Sequence, residues 1–337
     1  MIKLYKIMFF NSMIFGTFLA ISSYSWLSMW MGLEINLLSI IPLMKNSNNI
    51  YSSEAIMKYF IAQTLASTIL MFSLIINMNM NEFLPENLNK FMFLIMNSSF
   101  LMKMGTAPFH AWFPETMEGL TWSNCMLMLT WQKLAPMILL MYNLNMTMFI
   151  SIIIIISSLT GGILGLNQIS LRKILSYSSI NHIAWMLASM MNFKFIWLIY
   201  FIIYSIITIN IIFILMLFKI FFIKQLFLLF QNNKLLNIFF SMNFLSLGGL
   251  PPFLGFLPKW ITIFNLIQTN NLILSMILIL STLITLFFYM RLTLISFLLM
   301  KMENILIKKY KIYFFMMFWN LISLLSFPIF MTILTLN

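Results

Sequence analysis

The sequence has no aspartate, a single cysteine, two histidines and few charges of either sign. Each shortage removes a class of function. With Cys125 alone, the chain has no internal disulfide, no thiolate zinc site and no iron–sulfur cluster of its own. His110 and His182 admit two readings, haem ligation or hydrogen bonding within a core, and lone histidines in apolar surroundings favour the second. The glycine cluster Gly161-Gly162-Ile163-Leu164-Gly165 lacks the dinucleotide spacing and lies between apolar runs. It predicts helix packing or a helix end, not direct NADH binding. No cofactor and no metal is expected in this chain.

Charged residues make up 8% of the 337 residues and hydrophobic ones 62%, where soluble domains carry roughly a quarter charged. No polar block exceeds about eighteen residues, so residues 1–337 are expected to form a single membrane domain. A run of about 20 apolar residues crosses the roughly 30 Å hydrocarbon layer as helix. With no water there to satisfy the backbone, helix is the expected solution. The fold class is therefore all-α and polytopic. About eleven spans are expected, at 4–22, 24–44, 55–77, 91–113 with a break, 122–142, 147–165, 173–191, 195–217, 237–268 with a break, 271–298 and 312–334. The first reads as a span and not a cleaved leader, because no small-residue cleavage site follows it.

The net charge of +12 is carried by basic residues scattered singly between apolar runs, which argues against nucleic acid and for membrane topology. Eleven spans place Lys3, Lys6, Lys45, Lys58, Arg172, Lys173, Lys219, Lys224, Lys234, Lys301, Lys308, Lys309 and Lys311 on the N-terminal side, and only Lys90 and Lys194 on the other. Such an asymmetry puts the N-terminus in the negative compartment, cytoplasm or mitochondrial matrix. The abundance of Ile, Met, Phe, Asn and Lys matches AT-biased coding, as in mitochondrial genomes.

Four basic residues remain at membrane depth. Arg291 is near enough to the basic end of its span to snorkel. Lys103, Lys133 and Lys259 are not, and they join Glu34, which lies ten residues from either end of its span. Charges at the bilayer centre cost roughly 2.5–3.5 kcal/mol on insertion scales and mark functional sites by default. The protonation of a buried amine depends on whether an opposite charge lies beside it, so such a lysine can act as a proton switch.

The backbone near these lysines is predicted to be irregular. Gly105 and Pro108 interrupt the fourth span, and Gly248 to Lys259 interrupts the ninth. Pro136 is expected to kink the fifth beside Lys133. If spans one to five (4–142) and six to ten (147–298) are two units, the broken helix is fourth in each. Their odd helix count makes them inverted repeats, with 312–334 as a terminal helix. Ser176 to His182 reads either as a hydrogen-bonded proton path or as interhelical polar packing. Glu115 and Glu118, after a break at Pro114, read as a solvated helix start or a proton-uptake site.

The segments Met31 to Asn36, Lys103 to Pro114, Trp131-Gln132-Lys133, Ser170 to Lys173, Ser178 to His182 and Gly248 to Lys259 resemble the family of mitochondrial NADH dehydrogenase (ubiquinone) subunit 2. These are antiporter-like membrane subunits of respiratory complex I, and insect versions are nearest in style. The resemblance covers nearly the whole chain, most strongly from about 24 to 300. It implies a proton relay in which Glu34 forms a charge pair with Lys103, Lys133 lies centrally, Lys259 lies toward the exit, and His182 belongs to the central polar axis. It also implies other membrane-arm subunits of the complex and phospholipids as partners, in the mitochondrial inner membrane with the N-terminus in the matrix. Three N-terminal helices of longer bacterial relatives have no counterpart. Two rival functions are a structural subunit without its own proton path and a stand-alone cation/proton antiporter; the missing aspartate weighs against the latter.

Overall fold

In a computed structural model the described residues are 4–46, 50–80, 86–144, 146–226, 234–251 and 253–298. The chain divides into two compact units, Met1–Ile153 and Ile154–Asn337. Unit one contains α1 (Leu4–Ser22), α2 (Trp26–Met44), α3 (Ile50–Met80), α4 (Glu86–Met104), α5 (Trp112–Gly119), α6 (Trp122–Leu129) and α7 (Trp131–Met141). The next helix, α8 (Thr147–Gly165), runs across the boundary. Unit two continues with α9 (Leu171–Asn192), α10 (Lys194–Phe218), α11 (Lys234–Gly248), α12 (Phe256–Gln268) and α13 (Leu272–Leu298). Among the described residues no strand forms, and one antiparallel bridge joins Ser170 to Phe222.

Among the described residues six helices are long and apolar enough to cross a membrane: α1, α2, α3, α8, α10 and α13. The other predicted spans are discontinuous or polar. α9 is long enough, but its serines, Asn181 and His182 lower its hydropathy, and 17 of its 22 residues are buried inside unit two. The predicted span at 312–334 lies outside the described residues.

Each unit contains a close helix crossing that needs glycine. A Cβ at Gly16 of α1 would stand 2.9 Å from the Asn36 nitrogen and 3.0 Å from the Gly32 oxygen of α2. A Cβ at Gly161 of α8 would stand 2.9 Å from the Asn181 nitrogen and 2.8 Å from the Tyr177 oxygen of α9. The glycine cluster thus serves helix packing.

The two broken spans stop in the same way. α4 ends at Gly105 (φ 72°), whose N–H donates to the Met102 carbonyl at 3.2 Å while the Thr106 N–H donates to Leu101 at 3.1 Å. α11 ends with Gly249 (φ 78°) donating to Ser246 at 3.0 Å and Leu250 donating to Leu245 at 3.3 Å. A left-handed glycine that closes a helix with these two bonds is a Schellman cap. Seven residues follow in each case, 105–111 and 249–255, before helix resumes.

One local expectation is corrected. Pro114 is not a break: it stands in the first turn of α5, where a missing N–H costs nothing, so Glu115 and Glu118 ride on a continuing helix. The fifth span is interrupted at Thr130, between α6 and α7, and Pro136 lies inside α7. There the Thr130 hydroxyl donates to the Met126 carbonyl at 2.7 Å, a side-chain bond that competes with the helical ladder.

Candidate functional site

In unit one a cavity of about 20 Å³, room for the centre of one water molecule, is lined by Asn36, Tyr59, Gln63, Lys103, Gln132 and Lys133 among others. Lys103 and Lys133 are 7% and 1% exposed, so both side chains are withdrawn from the protein surface, and both residues line this one small cavity. Six helices contribute to it: α2, α3, α4, the start of α5, α6 and α7.

The broken span supplies its wall. A Cβ at Gly105 would lie 3.0 Å from Cβ of Phe113, so the glycine lets the chain fold back and bring Phe113 inward. Lys133 Nζ then stands 5.6 Å from the Phe113 ring centroid, within cation–π range. The carbonyls freed at the end of α4 are satisfied by neutral donors. Trp112 Nε1 donates to Met102 at 3.2 Å, the Thr106 hydroxyl to Leu101 at 3.1 Å, and Gln63 Nε2 to Lys103 at 3.1 Å. None of these bonds uses the Lys103 side chain, and Lys103 is among the residues that line the cavity.

Glu34 is on α2, as predicted, but makes no direct ion pair with Lys103. Among the described residues the ion pairs are those of Lys58 with Glu54 and Glu115, each at 2.7 Å. Oε1 of Glu34 is buried and accepts no hydrogen bond. What joins α2 to α7 is an amide pair: Asn36 Nδ2 donates to Gln132 Oε1 at 3.0 Å and Gln132 Nε2 donates to Asn36 Oδ1 at 2.9 Å.

Unit two solves the same break with a charge. Lys259, in the first turn of α12 and 6% exposed, donates from Nζ to the carbonyls of Leu247 at 3.2 Å and Gly248 at 2.8 Å. With the Schellman bonds, all four last carbonyls of α11 are satisfied, and the cation sits at the negative end of the helix dipole. The Trp185 ring lies 5.9 Å from the same Nζ.

His182 is mid-helix in α9 and buried. Its Nδ1 shares a hydrogen bond with the Tyr200 hydroxyl at 3.0 Å, and its ring packs against Tyr204 with centroids 5.1 Å apart. Asn181 Nδ2 reaches the Thr285 hydroxyl at 3.3 Å. Arg291 donates to the carbonyls of Leu166 at 2.7 Å and Gln168 at 3.1 Å, at the end of α8 that precedes Arg172 and Lys173. Sequence reasoning passed over Gln63, Tyr59, Tyr200 and Tyr204. An isolated glutamine or tyrosine in an apolar run carries no spacing signal, and only its polarity at membrane depth could have marked it.

Residues 23–285 match the family model described as NADH:quinone oxidoreductase/Mrp antiporter, transmembrane. The chain is 46% identical over 306 residues to NADH-ubiquinone oxidoreductase chain 2 of Anopheles gambiae, covering 90% of this chain and 89% of that one. It is 45% identical over 292 residues to the protein of the same name from Aedes aegypti, covering 86% and 85%. Its fold matches a chain of respiratory complex I from Thermus thermophilus with a TM-score of 0.80 at 21% identity, over 87% of this chain and 71% of that one. The chain therefore belongs to the transmembrane family of NADH:quinone oxidoreductases and Mrp antiporters, and within it to the NADH-ubiquinone oxidoreductase chain 2 proteins.

Proposed function

We propose that this chain is a proton-translocating core membrane subunit of NADH:ubiquinone oxidoreductase, respiratory complex I. Glu34, Lys103, Lys133, His182 and Lys259 form its relay. The observation that carries this reading is the meeting of Lys103 and Lys133 at one cavity large enough for water and ringed by Asn36, Gln63 and Gln132. Two ammonium groups beside one small cavity repel, so a proton held on one alters the free energy of a proton on the other. Glu34, with one oxygen unpartnered, is the group through which a change elsewhere in the complex would bias that exchange. Lys259 holds a proton at the end of α11, and its release would free two carbonyls for water.

Residues 4–142 and 147–298 are read as inverted five-helix repeats. The shared glycine crossing of α1 with α2 and of α8 with α9, and the shared helix ends at Gly105 and Gly249, support this. In this reading the chain has no redox group, cofactor or metal of its own and binds neither NADH nor nucleic acid. Its partners are the other membrane-arm subunits and phospholipids. Its place is the mitochondrial inner membrane, N-terminus in the matrix.

The test is the proton-to-electron ratio of an assembled complex carrying Lys133→Met. A lowered ratio with assembly intact on native gels supports the relay; a wild-type ratio removes Lys133 from it. Loss of assembly, with normal pumping in whatever complex forms, would favour a purely structural subunit. Lys133→Arg is expected to fail as well, because arginine does not release its proton.

A further inference from the structure

Residues 154–302 contain no acidic side chain, yet one end of unit two gathers Arg172, Lys173, Lys219, Lys224 and Arg291. The gathering is built. The turn between α8 and α9 is clipped to the segment after α10 by the Ser170–Phe222 bridge, with the Leu171 N–H donating to Phe221 at 2.9 Å and the Ile223 N–H to Ile169 at 3.3 Å. The Arg172 guanidinium lies 4.7 Å over the Phe221 ring. Oε1 of Gln225 accepts from the N–H groups of Phe221 at 2.7 Å and Phe222 at 3.2 Å. Arg291 ties α13 to the same turn through Leu166 and Gln168. Lys219 and Lys224 are exposed on the clip, and so are two apolar side chains among them, Ile169 at 64% and Phe222 at 45%.

We infer that this clip binds the phosphodiester headgroup of an anionic phospholipid. Arg172, Lys173, Lys219 and Lys224 meet the phosphate, and Ile169 and Phe222 enter the acyl region beneath it. Basic residues at a membrane surface attract anionic lipid, and apolar or aromatic neighbours anchor at the same depth. Topological bias accounts for the sign of these charges. It does not account for the hydrogen-bonded clip that joins them into one patch, or for two apolar side chains left outward among four cations. The inference is independent of the proton relay, since none of these residues belongs to it.

The full chain in detergent micelles is titrated with spin-labelled phosphatidylglycerol and, separately, phosphatidylcholine, and association is followed by electron paramagnetic resonance. Wild type is expected to prefer the anionic lipid. Lys219→Asn with Lys224→Gln should reduce the preference about 25-fold, each surface cation being worth about fivefold. Asparagine tolerates the left-handed backbone at position 219 (φ 52°), and an unchanged helical circular dichroism shows that the variant folds. Lys194→Gln, on an exposed lysine at the other end of α10 from Lys219, should change nothing. Equal association of the two lipids, or an undiminished preference in the clip variant, overturns the inference. So does displacement of the lipid by millimolar inorganic phosphate, which would make this a free-anion site. Photo-crosslinking from position 224 of the assembled complex that captures polypeptide and no lipid would overturn it in favour of a protein partner.

Discussion

Asn36 and Gln132, 96 positions apart, exchange two amide hydrogen bonds, at 3.0 and 2.9 Å, and so lock α2 against α7. Glu34 is two residues before one partner and Lys133 directly follows the other. The pair therefore sets how the helix of the carboxylate stands against the helix of the central lysine.

Either single leucine substitution strands a buried amide, whereas the double substitution removes both. A double-mutant cycle on unfolding of the chain should show a favourable coupling of about 0.6–2 kcal/mol, the range for polar pairs between membrane helices. Additive single effects would mean that the two amides do not hold each other.

Gly249 and Gly248 are adjacent but not equivalent. A Cβ on Gly249 would meet Lys259 Cδ at 2.7 Å and Nζ at 2.9 Å at a left-handed φ, while one on Gly248 would find only ordinary contacts from 3.6 Å. Gly249→Ala should cost about 1–2 kcal/mol for the backbone alone and displace Lys259. Gly248→Ala should be nearly silent. Gly255→Ala, which would drive a methyl into the Ser246 carbonyl, should abolish assembly. Native gels of the three variants check the order.

Lys58 bridges Glu54 on its own helix and Glu115 on α5, with all three side chains partly exposed. Solvent screening makes such a pair weak and salt-sensitive. Glu115→Gln should lower the melting temperature slightly at low ionic strength, and the difference should vanish in 1 M salt. A salt-independent loss would point to a role other than tethering α5.

Tyr200→Phe removes the hydroxyl that shares a hydrogen bond with His182 Nδ1. The expected stability loss is about 1 kcal/mol. If His182 works in the relay, the proton-to-electron ratio should fall in complexes that assemble normally. An unchanged ratio would leave the His182–Tyr200 pair as packing between α9 and α10.

The locations of the breaks were largely legible because they rest on local chemistry. Gly105 and Gly249 take a left-handed backbone that other residues avoid, and each stands where an apolar run meets a proline-containing segment. Pro114 misled for the complementary reason. Proline is harmless in a first turn, and the interruption near Lys133 fell at Thr130, where a hydroxyl competes for a carbonyl.

What the sequence determined by itself is the class of molecule: apolar runs of bilayer length, few charges, and four ionisable residues inside those runs. Hydropathy and charge act on each segment separately, so they can be read along the chain. Only the tertiary structure decided which of those residues meet. It brought Lys103 and Lys133 to one cavity, buried an oxygen of Glu34 without a hydrogen bond, gave Lys259 the carbonyls of α11, and assigned the matching task at α4 to Gln63 and Trp112. These neighbours depend on how helices far apart in sequence pack, and the pattern along any one of them does not encode that.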